Sequence, residues 1–162
     1  MFNWLKKSSI AKPLMAPVKG TVIPLSESAD PVFAGKMMGD GFGIEPTVGA
    51  VVSPASGVVT MIAPTLHGIG IKTDDGLDLL IHMGIDTVAL KGAPFTMNVA
   101  VDQRVESGQA LALMDLTAVQ KAGKPTTIMV VITNSSERGI EVTPQTGLID
   151  AGEVAATYTV KS

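Results

Sequence analysis

The chain contains no cysteine. That excludes a disulfide framework, a thiolate nucleophile and any Cys-ligated zinc or iron–sulfur site. Aromatic residues are scarce, with four Phe, one Tyr and one Trp in 162 residues. Basic character is lacking too, since 12 Lys and Arg stand against 15 Asp and Glu for a net charge of −3. A mildly acidic chain with few rings is poorly suited to phosphate backbones or stacked bases, so nucleic-acid binding is set aside. No apolar run reaches the about 18 residues that cross a bilayer, and no apolar stretch near the start precedes a small-residue cleavage site. A cytoplasmic location is therefore expected. Long segments free of Gly and Pro are also missing. With 17 Gly and 10 Pro, the longest such segment is residues 109–122, so long helices are not expected.

What is present is a composition 46% hydrophobic and 17% charged, enough to bury a core in one globular domain and opposite to the signature of disorder. Between the Gly and Pro residues lie short runs rich in Val, Ile, Leu and Thr, at residues 48–52, 57–62, 77–83, 110–114, 127–133 and 154–160. They read as strands separated by turns, with no alternating helix pattern, and the fold class is all-β: an antiparallel sandwich or barrel. Residues 116–122 read as a turn or two of helix before Gly123 and Pro125, and residues 95–100 as another. Pro17-x-x-Gly20-x-Val22 recurs as Pro54-x-x-Gly57-x-Val59, which suggests a duplicated turn-and-strand motif, chance being the alternative where Pro and Gly abound. Residues 1–13 read as a flexible N-terminal tail ahead of a single domain over residues 14–162. The tail carries Met1, Phe2, Trp4 and Leu5 with Lys6 and Lys7, which leaves a weak membrane-surface contact as a minority alternative to a mobile terminus.

Histidine occurs only twice, as His67 and His82, each close to glycine in an apolar setting. Period-2 alternation places Leu77, Leu79 and Ile81 on one strand face and Asp78, Leu80 and His82 on the other. Asp75-Gly76 is a hairpin-turn signal lying between the histidines. If the hairpin forms, His67 and His82 lie near opposite ends of neighbouring strands, where their rings can converge. A lone histidine is ordinarily a satisfied, half-buried side chain, but two beside small residues look more like a site. Neutral imidazole has an unperturbed pKa of about 6.5 and is nucleophilic near neutrality, so a pair can receive, hold and release a phosphoryl group without a metal. Zinc is the competing use. It needs three or four ligands, and neither His-x-His nor His-Glu-x-x-His is present, so metal hydrolysis ranks below phosphoryl transfer.

Val32-Phe33-Ala34, Gly39-Asp40-Gly41, Ile44-Glu45-Pro46, Ser53-Pro54-Ala55-Ser56-Gly57 and, above all, His82-Met83-Gly84-Ile85-Asp86-Thr87-Val88 with Leu90-Lys91-Gly92 carry a resemblance. From about residue 14 to residue 161 the chain resembles the glucose-family enzyme IIA component of the bacterial phosphoenolpyruvate-dependent sugar phosphotransferase system. The resemblance implies a β-sandwich built from a duplicated motif, a phosphotransferase component and no cofactor or metal. It implies that His82 takes a phosphoryl group on Nε2 from the histidine-containing phosphocarrier protein and passes it to a cysteine of an enzyme IIB domain. His67 matches the second histidine, which faces the first, and Thr65 matches a hydroxyl that hydrogen-bonds within that site. The Gly84 carbonyl is expected to fix the Nδ1 proton of His82, leaving Nε2 free. For partner docking the resemblance implies an apolar patch of Phe33, Ile69, Leu80 and Val88 with Asp30 and Asp86 at its rim. Ala63 and Leu80 stand where relatives are expected to carry phenylalanine.

Three rivals are weighed. Lys36-Met37-Met38 and the 103–109 segment suggest a biotinyl or lipoyl carrier, but a biotinyl lysine is flanked by Met on both sides. A zinc-dependent peptidase on a related duplicated fold would need the missing His-x-His pair. A regulatory module docking to transporters or kinases is compatible with the relay, because phosphorylation adds about −1.5 to −2 charges to an apolar patch.

Overall fold

In the computed structural model, which describes residues 10–161, the short apolar runs do form strands. In chain order they are β1 (Lys12–Met15), β2 (Gly20–Pro24), β3 (Asp40–Pro46), β4 (Ala50–Val52), β5 (Gly57–Ile62), β6 (Gly68–Thr73) and β7 (Asp78–Met83). Then come β8 (Phe95–Met97), β9 (Arg104–Val105), β10 (Ala110–Met114), β11 (Ile128–Ile132), β12 (Ile140–Pro144), β13 (Gly147–Ile149) and β14 (Val154–Val160). Short helices α1 (Pro31–Ala34), α2 (Leu116–Lys121) and α3 (Ser135–Arg138), with 3₁₀ turns at Leu25–Glu27 and Thr87–Leu90, fill the connections. The strands join as one sheet in the order β13-β2-β3-β11-β7-β6-β5-β9 and two smaller ones, β1-β14-β12 and β4-β10-β8. Every described pairing is antiparallel, and the all-β sandwich is confirmed.

The core is built by alternation. Phe42 and Ile44 of β3, Ile69 and Ile71 of β6, Leu79, Ile81 and Met83 of β7, and Ile128, Val130 and Ile132 of β11 face inward and are fully or almost fully buried. Each such side chain contributes roughly 1.5–3 kcal/mol by leaving water. Strand β11 is buried along its whole length. Its other face, Met129 and Val131, packs with Leu25, Phe33 and Ile85 in a second cluster. This outer cluster supports the functional face.

The repeat is genuine. A Cβ at Gly20 would collide with the Glu45 carbonyl oxygen on β3, and one at Gly57 with the Lys72 carbonyl oxygen on β6, so each motif glycine permits the same close strand approach. Val22 and Val59 are both buried. The two copies also bond reciprocally: Met15 N–H donates to the Pro54 carbonyl at 3.0 Å, and Val52 N–H donates to that of Pro17 at 2.7 Å. Equivalent turns follow. Glu106 N–H donates to the Gln109 side chain and Asp150 N–H to the Glu153 side chain, each at 3.0 Å.

Two expectations are corrected. Residues 95–100 are not helical: β8 pairs with β10, setting Phe95 opposite Met114 and Met97 opposite Ala112, because Phe95 alternates into the core while Thr96 points out. Lys12 and Pro13 belong to the fold rather than to a tail, since β1 pairs with β14 and an edge strand tolerates a proline that donates no N–H. The membrane-contact reading of Trp4, Lys6 and Lys7 lies outside the described residues. Among the described residues no helix is long and apolar enough to cross a membrane. The short helix expected at residues 116–122 is α2, capped by the Asp115 side chain, which accepts from Ala118 N–H at 3.0 Å.

Candidate functional site

Strand β7 turns Leu79, Ile81 and Met83 inward and leaves Asp78, Leu80 and His82 half-buried on the outer face. The expected hairpin closes at residues 74–77, where Gly76 N–H donates to the Thr73 carbonyl and Leu77 N–H to the Thr73 hydroxyl, both at 2.9 Å. The register then puts Gly68 opposite His82. One residue earlier, His67 is delivered by a tight turn in which Leu66 adopts a left-handed φ of 62° and donates its N–H to the Ala63 carbonyl at 2.8 Å. The two imidazoles approach to 5.1 Å between centroids, nearly edge-on at 78°.

Each ring is held by its Nδ1. That of His82 lies 2.8 Å from the Gly84 carbonyl oxygen, which can only accept, so the proton sits on Nδ1 and Nε2 carries the lone pair. That of His67 lies 2.7 Å from the Thr65 hydroxyl. The Phe33 ring packs against His82 at 4.9 Å, tilted by 55°. Burial pushes the affinity of both imidazoles for a proton below the ordinary value. For His82 the neighbouring His67 adds to that, while the hydrogen bond to Gly84 and the carboxylates of Asp30 and Asp86 oppose it without reversing it. Two neutral rings at neutral pH are the consequence.

The triad expected from the sequence, His82, His67 and Thr65, therefore comes together. Asp30 caps α1 by accepting from Val32 N–H at 2.9 Å, Asp86 is exposed, and both act on the charge of His82. Val88 is 53% exposed on the turn beyond, and Leu80 shares the outer face two residues before His82. Ile69 does not belong to a docking patch. It is fully buried opposite Ile81, because alternation along β6 gives the outer face to Gly68 and Gly70. Phe33 is likewise buried, at 4% exposure, and forms the wall behind His82 rather than a contact surface. Residues missed from the sequence are Leu25, Ile85, Met129 and Val131, which complete that wall. The unbroken apolar run at 128–132 was the available sign of a strand covered on both sides. Lys36, weighed as a modification site, lies in the turn after α1, paired with Asp40 at 3.4 Å. Among the described residues no group of three or more His, Asp or Glu could hold a metal ion.

The family model for the phosphoenolpyruvate-dependent sugar phosphotransferase system, EIIA 1, matches residues 12–138. The chain belongs to that family. It is a phosphotransferase component, as the resemblance implied. It is 52% identical over 115 residues to a glucose-specific EIICBA component of Streptococcus pneumoniae, a match covering 71% of this chain and 16% of that protein. It is 42% identical over 127 residues to a glucose-specific EIIA component of Halalkalibacterium halodurans, covering 78% of this chain and 73% of the relative. This EIIA chain thus spans about a sixth of the first relative and most of the second. The solved glucose permease IIA from Mycoplasma capricolum superposes with a TM-score of 0.85 at 35% identity, covering 94% of this chain and 99% of that one.

Proposed function

We propose that His82 is the phosphoryl acceptor of this EIIA chain, receiving the group from the histidine-containing phosphocarrier protein and passing it to the cysteine of an enzyme IIB domain. The observation that carries this reading is the 2.8 Å contact between His82 Nδ1 and the Gly84 carbonyl. It leaves the Nε2 lone pair to attack phosphorus in line while the donor nitrogen departs with the bonding pair. On donation the incoming thiolate sulfur forms the new bond and Nε2 recovers its pair. His67, held by Thr65, stands beside the group and stabilises charge on its oxygens. Leu80 and Val88 supply the apolar contact for both partners, and Asp30 and Asp86 steer basic ones. Because the relay begins with phosphoenolpyruvate, a cytoplasmic metabolite, the chain would work in the cytoplasm.

Incubation with phosphoenolpyruvate, enzyme I and the phosphocarrier should add one acid-labile, base-stable phosphoryl group, read by intact mass. His82→Ala should take up none, and His67→Ala should accept the group but donate it poorly to a IIB domain. An unchanged wild-type mass, or uptake by His82→Ala, defeats the proposal.

A further inference from the structure

We infer that Thr87 is the positioning residue that keeps the proton of His82 on Nδ1. The inference rests on the acceptor reading of His82 and deepens it, because the Gly84 carbonyl can fix the tautomer only while the turn that presents it is itself held. That turn is backbone in an unusual conformation. Gly84 has a φ of 83° and Asp86, not a glycine, a φ of 59°, so the carbonyl that reaches back to His82 depends on partners outside the turn.

Two successive peptide units make up the device. In the unit that ends in the Gly84 carbonyl, the Ile85 N–H donates to the Pro125 carbonyl at 3.1 Å. In the unit before it, the Gly84 N–H donates to the Thr127 carbonyl at 2.9 Å, and the Met83 carbonyl accepts from the Thr87 hydroxyl at 2.6 Å. Three of the four polar groups are thus paired with backbone or with His82 itself. The fourth is paired by a side chain, Thr87, which is fully buried. Its hydroxyl reaches no solvent, so its bond to Met83 is not exchanged for water. Its methyl carbon fills the space that a Cβ at Gly84 would need. The hydroxyl holds one end of the peptide plane, and the methyl packs on the residue whose carbonyl does the positioning.

The two parts of the side chain separate by substitution. Thr87→Val keeps the branched shape and removes the donor, while Thr87→Ser keeps the donor and removes the methyl. Nitrogen NMR of the imidazoles at about pH 8, above the ordinary imidazole pKa of about 6.5, reads the tautomer. The wild type is expected to show Nδ1 of His82 protonated and Nε2 not. Thr87→Val is expected to move His82 to a mixture of tautomers and to slow phosphoryl uptake from the phosphocarrier about tenfold, the rate equivalent of one neutral hydrogen bond. Thr87→Ser is expected to restore both.

Thr87→Val with the wild-type ring shifts overturns the inference, as does an equal slowing in both variants without a change of tautomer. If Thr87→Val does not fold, the remaining proteins decide: a protonated Nε2 in the wild type, or a lost tautomer preference in Thr87→Ser, overturns it. A wild type that shows the hydroxyl-dependent tautomer yet takes no phosphoryl group defeats the acceptor reading and leaves the positioning role of Thr87 supported.

Discussion

At the scale of the residue, the proposed relay depends on two imidazoles being kept neutral at the place where the phosphoryl charge would arrive. Burial is the main cause for both, and mutual repulsion contributes for His82. Both should titrate below the usual imidazole value of about 6.5. Replacing His67 by Gln removes a like charge, so the midpoint of His82, followed by NMR, should rise. Asp30→Asn and Asp86→Asn should each lower it. Asn remains a good helix N-cap, so the first of these tests the charge of Asp30 without uncapping α1. The sign for stability follows. Because the folded state binds these protons more weakly than the unfolded chain, this contribution is intact above about pH 6.5 and is lost as pH falls toward the lowered folded values. Denaturant midpoints measured across that window should decline toward acid, and less so in His82→Gln.

At the scale of the element, alternation assigns neighbouring residues to different tasks. Ile81 and Leu80 are adjacent on β7, one fully buried and one half-buried. Ile81→Ala should cost about 2–5 kcal/mol in chemical denaturation, the usual range for emptying a core position. Leu80→Ala should cost less and act instead on the KM for the phosphocarrier. Ile69→Ala should resemble Ile81→Ala, with lowered stability and unchanged KM, because Ile69 faces the core. The hairpin carrying both histidines was legible from Asp75-Gly76 and from the two-residue period, since both signals act over a few residues. Strand β3 was not, because its sequence Asp-Gly-Phe-Gly-Ile-Glu-Pro carries glycines that lower strand propensity. Gly41 is required because a Cβ there would meet the Val130 carbonyl, a condition set by β11.

At the scale of the whole molecule, the terminal strands are tied to the tip of the hairpin that carries both histidines. The Tyr158 hydroxyl on β14 donates to Asp75 at 3.2 Å, and Lys12 on β1 pairs with Asp75 at 3.6 Å. Burial first, then the charge of Asp75 and this hydrogen bond, push the Tyr158 hydroxyl up to about 12. The folded state holds this proton more tightly than the unfolded chain, whose tyrosine ionises at about 10. Stability from this group is therefore complete below about pH 10 and falls as pH rises through about 12. Tyr158 is the sole tyrosine, so its absorbance titration reports this site alone. Tyr158→Phe should lower stability at neutral pH by about 1 kcal/mol and flatten the alkaline decline.

By itself the sequence determined the fold class, the hairpin and the pairing of His67 with His82. All of these rest on period, turn chemistry and contacts between residues close along the chain. Only the tertiary structure decided that Phe33 is a wall, and that the turn after His82 is anchored by the carbonyls of Pro125 and Thr127. Those partners lie about forty or more positions away. Their encounter depends on how β11 packs on both faces, and no local preference encodes that.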